Sequence, residues 1–187
     1  MEQIILGIDP GTNIMGYSVI SIDNNNVKLL VLDVLRLEKL PNQAVKLKKI
    51  FDTTLRIIDE YQPDHLSIEA QFFGKNVQSM LKLGRAQGVA IAAALYRSVP
   101  ICEYSPLKIK QSITGSGKSS KEQVAAMLER LIKIDINYTF LDATDALAVA
   151  YCHYLQNKTI KTDSKYGDWA SYIAKNPDKV KKNIITK

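Results

Sequence analysis

Four carboxylates stand at the edges of the most regular segments of this chain. Asp9 closes the apolar run Ile4-Ile5-Leu6-Gly7-Ile8 and is followed at once by Pro10-Gly11-Thr12. Glu69 closes Leu66-Ser67-Ile68. Asp142 and Asp145 lie at the head of an alanine-rich apolar helix, Leu141 to Leu155. Acids at strand ends and at a helix start can converge although they are far apart in sequence. With few histidines and no thiolate pair beside them, such oxygen ligands suit Mg²⁺ or Mn²⁺ rather than zinc. The chemistry this pattern fits is metal-assisted cleavage of a nucleic-acid backbone.

Each acid also has a plainer reading. Asp9 can be the first residue of an Asp-Pro-Gly turn, accepting local N–H bonds. Asp142 can serve the N-terminus of its helix, where negative charge is favoured in any case. Glu69 is harder to explain away, because a glutamate beside Ile68 in a buried strand costs several kcal/mol unless paired, protonated or bound to a cation. Asp145 lies one turn further on, beside Ala146-Leu147-Ala148-Val149, where capping no longer applies.

The elements that must carry these acids are legible from pattern. Gln3–Asp9, Met15–Ile22 and Val27–Leu37 are apolar and β-branched enough for strands. Asp23-Asn24-Asn25-Asn26 is a turn composition, since Asn and Asp tolerate left-handed backbone. From Pro41, the residues Ala44, Leu47, Ile50, Phe51, Leu55 and Ile58 recur at helical steps to Tyr61. His65–Ala70 reads as a short buried strand, Asn76–Arg97 as a long helix rich in glycine and alanine, and Val99–Tyr104 as a further strand. The small residues of that helix allow close approach of another backbone, either the sheet or a second subunit. Ser105-Pro106 opens a short helix through Ser112. Ser120 with Gln123 makes a capping box for a helix whose expected core face is Val124, Met127, Leu128 and Leu131. Thr139 with Asp142 makes a second box. Three antiparallel strands followed by alternating helix and strand predict an α/β fold, a mixed five-stranded sheet flanked by helices.

Composition narrows the class. At 187 residues with 46% hydrophobic content, the chain suits one folded domain, and no stretch approaches a membrane span. Its start reads as a first strand rather than a signal peptide. Cys102 and Cys152 sit in apolar segments, as buried reduced thiols of a cytoplasmic protein would. The net charge of +6 is uneven: residues 157–187 hold eight lysines against three aspartates, leaving the rest close to neutral. We therefore expect a domain at 1–156 and a basic appendage at 157–187, weakly packed or ordered by a partner. Its lysines can attract phosphates or simply keep a solvated tail soluble.

Three blocks in order carry a family resemblance: I-D-P-G-T, then S-I-E-A-Q-F-F-x-K-N with L-K-L-G-R-A-Q-G-V, then L-D-A-T-D-A-L-A-V-A. Together they resemble the RuvC-type Holliday-junction resolvases, which have the ribonuclease-H-like fold, and the match runs across roughly residues 3–156. The resemblance implies that Asp9, Glu69, Asp142 and Asp145 are the metal-binding catalytic acids; at the position of Asp142 some members have histidine. It implies that Phe72 contacts unpaired bases near the crossover and that Lys110 and Lys121 handle DNA. Lys75, within the second block, and Lys118, in a glycine-serine loop, join them as candidate DNA-binding residues. The implied mechanism uses two Mg²⁺ ions per subunit, with Mn²⁺ as the alternative, about 4 Å apart across the scissile phosphate. Two symmetric nicks in a four-way junction imply a homodimer, and the RuvA-RuvB branch-migration complex is the implied protein partner.

Other readings are weaker. Gly115-Ser116-Gly117-Lys118-Ser119 looks like the end of a P-loop, but Ser112 stands where the motif needs glycine, and the segment before it reads as helix. A phosphotransferase of the actin, Hsp70 and sugar-kinase class also begins with Asp-x-Gly-Thr after a strand, but needs a second such domain. A catalytically inactive junction-binding protein would not need all four acids.

Overall fold

The structure is a computed structural model that describes residues 2–71, 76–134 and 141–163, with side chains described through 158. The chain divides into two units, Met1–Tyr154 and Leu155–Lys187, and the architecture below is that of the first.

Strands β1 (Gln3–Asp9), β2 (Ile14–Asp23) and β3 (Asn26–Arg36) form an antiparallel meander. The β2–β3 turn is as tight as its asparagines suggest: Asp23 pairs with Asn26, and Asn24 and Asn25 both take positive φ, 49° and 65°. Helix α1 (Gln43–Tyr61) then carries the chain to β4 (His65–Glu69), which lies parallel to β1. Helix α2 (Val77–Tyr96) leads to β5 (Ile101–Tyr104), parallel to β4, and the sheet order is β3-β2-β1-β4-β5. Helices α3 (Pro106–Thr114), α4 (Lys121–Ile132) and α5 (Leu141–Asp163) follow. The expected α/β class and mixed five-stranded sheet are what the chain forms.

Alternation along the strands makes two different faces. Leu6 and Ile8 of β1, Tyr17 and Val19 of β2, and Leu66 and Ile68 of β4 point one way, into a core closed by Ile50, Ile57 and Ile58 of α1 and Ala86, Ala90 and Ala94 of α2. The intervening residues, among them Gly7, Asp9, Gly16, Ser18, Ser67 and Glu69, face the other way. Helix α5 covers this second face at β1 and β2: the buried Ser18 hydroxyl donates to the Ala146 carbonyl at 3.0 Å.

Several boundaries and faces differ from the sequence reading. Helix α1 starts after Asn42, whose Oδ1 accepts from the Val45 amide, and Ala44 is exposed rather than a core residue. Thr53 and Thr54 take buried positions instead. The core face of α4 is Val124, Ala125, Leu128 and Ile132; Met127 is half-buried and Leu131 is 45% exposed. The two stripes share Val124 and Leu128; the observed one turns through Ala125 and Ile132, and Lys121 on α4 reaches the acids. Helix α5 continues beyond the expected end at Leu155 to Asp163. The Ser120–Gln123 capping box forms in both directions, whereas Thr139 lies outside the described residues. Among the described residues, no helix is long and apolar enough to cross a membrane.

Candidate active site

The sheet brings the first two acids together. Asp9 ends β1, and the parallel register that pairs Ile8 with Ile68 sets Glu69, the last residue of β4, beside it. Helix α5 supplies the other two from its first turns. Asp9, Asp142 and Asp145 each offer a carboxylate oxygen within 4.8 Å of the others. Glu69 stands outside that tight group but lines the same cleft, with Asp9, Asp145, Lys110 and Lys121. Pro106, Ile109, Val124 and Ala148 give the cleft apolar walls.

The electrostatics follow from crowding like charges at a partly dry sheet end. Burial holds the Asp9 carboxyl well above its ordinary range, and the charges of Glu69 and Asp145, then Asp142, push the same way against Lys121. Burial also raises Glu69, with Asp145 adding to it and Lys121 and Lys110 opposing. Asp145 is raised by burial although Lys121 bonds to it directly. For Lys121, burial lowers the ammonium, but the Asp145 bond and the charges of Asp145, Asp9 and Asp142 outweigh that and raise it.

The other expected residues are placed unevenly. Lys110 and Lys121 reach the cleft. Lys118 is exposed in the turn before α4, where its amide bonds to the Ser116 hydroxyl, and it does not line the cleft. Phe72 and Lys75 lie outside the described residues. The P-loop-like segment is a helix end: Gly115 caps α3 in a left-handed conformation, φ 76°. His153 is buried at 1% exposure, and Tyr104 Oη lies 2.7 Å from its Nδ1. Burial, then the neighbouring His65 ring, hold its pKa down at about 4.

Two supporting residues escaped the sequence reading. Gln87 of α2 donates to the Glu69 carbonyl at 3.3 Å and to Glu103 Oε2 at 2.9 Å, tying the end of β4 to β5. A glutamine within the buried small-residue stripe of α2 was the available signal. Lys46 donates to the Thr12 carbonyl and to Asn13 Oδ1, both at 3.1 Å, holding the turn that follows Asp9. Nothing in the spacing of the α1 lysines distinguishes it.

Residues 5–153 match the family model described as crossover junction endodeoxyribonuclease RuvC. A protein of that name from Cytophaga hutchinsonii is 56% identical over 97% of this chain and 90% of its own length. The Bacteroides fragilis protein of the same name is 55% identical over 96% of this chain and 97% of its own. Among solved structures, Thermus thermophilus RuvC in complex with a Holliday junction substrate superposes with a TM-score of 0.79. That match has 26% identity and covers 84% of this chain and 96% of the other.

Proposed function

The chain belongs to the RuvC family of crossover junction endodeoxyribonucleases, and on that premise we propose that it resolves four-way DNA junctions by paired, metal-dependent nicks in recombination and repair. The observation that carries the metal-dependent part is the convergence of Asp9, Asp142 and Asp145 at one sheet end, with Glu69 lining the same cleft.

The residues fit a hard divalent cation. Three carboxylates with oxygens within 4.8 Å repel one another. The lysines lining the cleft, Lys110 and Lys121, offset this in part, and Asp9 is still pushed well above its ordinary range. Oxygen donors of this kind suit Mg²⁺, or Mn²⁺ in its place. Asp9, with Asp142 and Asp145 beside it and Glu69 in the same cleft, would hold the metal. When bound, the ions supply water activation and stabilise charge on the leaving oxygen.

The chain's own groups do the rest. Lys121 ties down Asp145 and, with Lys110, brings positive charge to the cleft for a DNA phosphate. The apolar walls limit water around the acids. Phe72 is a proposed DNA contact on family grounds, by stacking on an unpaired base; Lys75, within the family-like second block, and Lys118, in the glycine-serine loop, are proposed as further DNA contacts.

A homodimer is proposed because two symmetric nicks need two sites. It is supported by a stripe on α2 made of Val77, Leu81, Gly84, Gly88 and Leu95. The three larger residues are 65%, 51% and 60% exposed, and the two glycines face open space. The RuvA-RuvB complex is the proposed protein partner on family grounds. The basic segment 157–187 is proposed as an appendage whose lysines reinforce DNA binding.

The test is nicking of a synthetic four-way junction with and without Mg²⁺. We expect paired cuts with Mg²⁺ and none in chelator. Metal-independent cutting would overturn the carboxylate mechanism, and junction binding without any cutting would leave a binding protein.

A further inference from the structure

Helix α5 approaches the sheet more closely than a Cβ permits. A Cβ added at Gly16 would lie 1.9 Å from the Asp142 carbonyl oxygen, and one at Gly7 would lie 2.2 Å from that of Ala146. Even weak C–H···O contacts need about 3.3–3.6 Å. Gly16 is the register partner of Asp9, and Gly7 of Ser18, so all four share one face. The Ser18 hydroxyl adds its bond to the Ala146 carbonyl at 3.0 Å. On the helix side the surface is Ala143, Ala146 and Ala150, exposed by 2%, 0% and 0%.

Among the described glycines, only at Gly16 and Gly7 would an added Cβ collide with the backbone of a helix; at Gly11 it would meet the chain's own turn, the Ile14 carbonyl oxygen at 1.6 Å. Gly84 and Gly88 have nothing within 4 Å of an added Cβ. At Gly117 the nearest atom is Cδ1 of Leu107, a side chain that can rotate away. At Gly16 and Gly7 the obstacle is helix backbone, which can yield only if the helix moves. The backbone it meets belongs to Asp142 itself and to the residue after Asp145.

We infer that Gly16, Gly7 and Ser18 form a seat fixing the height of α5 above β1 and β2, and so the spacing of Asp142 and Asp145 from Asp9. Gly16 is the principal positioning residue. The inference rests on the metal-site reading above. A methyl group at Gly16 must push the first turn of α5 outward by about 1 Å or more, a displacement that can cost a catalytic geometry about a hundredfold.

The test measures Mn²⁺ binding to the whole protein from the free-Mn²⁺ resonance signal, beside circular dichroism and junction binding without metal. Gly16→Ala is expected to bind Mn²⁺ about 10–100-fold more weakly, the range seen when support for metal ligands is lost. Its fold should stay native, and metal-free junction binding should remain near the wild-type value. Ile57→Val, in the opposite core, should lower the melting temperature without changing Mn²⁺ affinity. A folded Gly16→Ala protein with wild-type Mn²⁺ affinity would overturn the seat. If Gly16→Ala does not fold, Ser18→Ala decides. It adds no atoms and removes one buried hydrogen bond, so affinity should fall about 2–10-fold, and unchanged affinity would overturn the inference. Wild-type protein that binds no Mn²⁺ and makes no nick would remove the metal reading itself, an outcome distinct from any variant's behaviour.

Discussion

The two faces of the sheet are written in the same strands and serve opposite ends. Along β1, Ile4, Leu6 and Ile8 point to α1 and α2, while Gly7 and Asp9 point to α5. The first face is closed by large side chains such as Ile50, Ile57 and Ile58. The second keeps large buried residues at one end, Ile5 and Ile20, and turns small and polar towards the other: Gly7, Gly16, Ser18 and Ser67 clear a path for a helix backbone, and Asp9 and Glu69 crowd charge at the strand ends. One face stabilises the fold by burial. The other spends part of that stability on holding like charges together, which is how functional sites commonly depart from packing rules.

The sharpest break between the faces is expected from Asp9→Asn. The side chain keeps its size but loses a ligating charge, so nicking in Mg²⁺ should fall at least about a thousandfold, the several kcal/mol that bound metal contributes. Junction binding should remain close to wild type, because phosphate contacts elsewhere carry the affinity. The same variant should melt higher than wild type in chelator, since a buried, repelled carboxylate has been removed. Substantial nicking would sink the four-carboxylate argument, and a lower melting temperature would contradict the charge-crowding account.

Ile57→Ala should do the converse. Ile57 is 1% exposed within the apolar face, and truncation of such a residue costs about 2–5 kcal/mol. The protein that remains folded should bind Mn²⁺ and cut at nearly the wild-type rate per folded molecule. A loss of metal affinity comparable to that of Asp9→Asn would show that the two faces are not separable.

The pH dependence follows from the sign of the shifts. Asp9, Glu69 and Asp145 are all raised above their ordinary range in the fold, so the folded state holds protons that the unfolded chain releases. Each group's stabilisation is present at low pH and is lost as pH rises through the raised value. Metal-free protein should therefore melt lower at pH 8 than at pH 5.5. Mg²⁺, which binds the ionised acids, should restore stability mainly at the higher pH. His153, held near 4, runs the other way: it favours the fold above the unfolded histidine value and costs stability as pH falls through that range. A melting temperature in chelator that rises steadily from pH 5.5 to pH 8 would mean that histidine, not the acidic cluster, dominates.

Much of this was legible in the chain. The apolar runs ending in Asp9 and Glu69 mark strands whose ends face the same way, and the asparagine turn gives the β2–β3 hairpin directly. What spacing alone could not supply was phase and proximity. Helix α4 offers overlapping apolar stripes that share Val124 and Leu128, and the fold buries Ala125 and Ile132 with them rather than Met127 and Leu131. The tight group of Asp9, Asp142 and Asp145 depends on Gly16 lying opposite Asp9 in register, a relation between strands that a single sequence does not display. Lys118, suggested by its place in a glycine-serine loop, lies exposed between α3 and α4 and outside the cleft, a placement its loop composition does not give.

The smallest expected effect comes from Gln87, where the apolar face reaches the site. Its side chain, 9% exposed, leaves α2 to donate to the Glu69 carbonyl and to Glu103. The carboxylate of Glu69 is not touched, so Gln87 can act only by fixing the strand end that presents it. Gln87→Met keeps the length and apolar stem but removes both donors. Because Glu103 is exposed and can turn to water, the loss should be near that of an ordinary hydrogen bond, about 0.5–1.5 kcal/mol. In single-turnover nicking at saturating junction, that corresponds to a rate about 2–12-fold lower, with junction affinity unchanged. Higher Mg²⁺ should recover part of the rate if Glu69 is merely less well held. An unchanged rate would assign Gln87 to packing alone. A loss approaching that of Asp9→Asn would make α2 part of the active site, and the division between the two faces would have to be redrawn at β4.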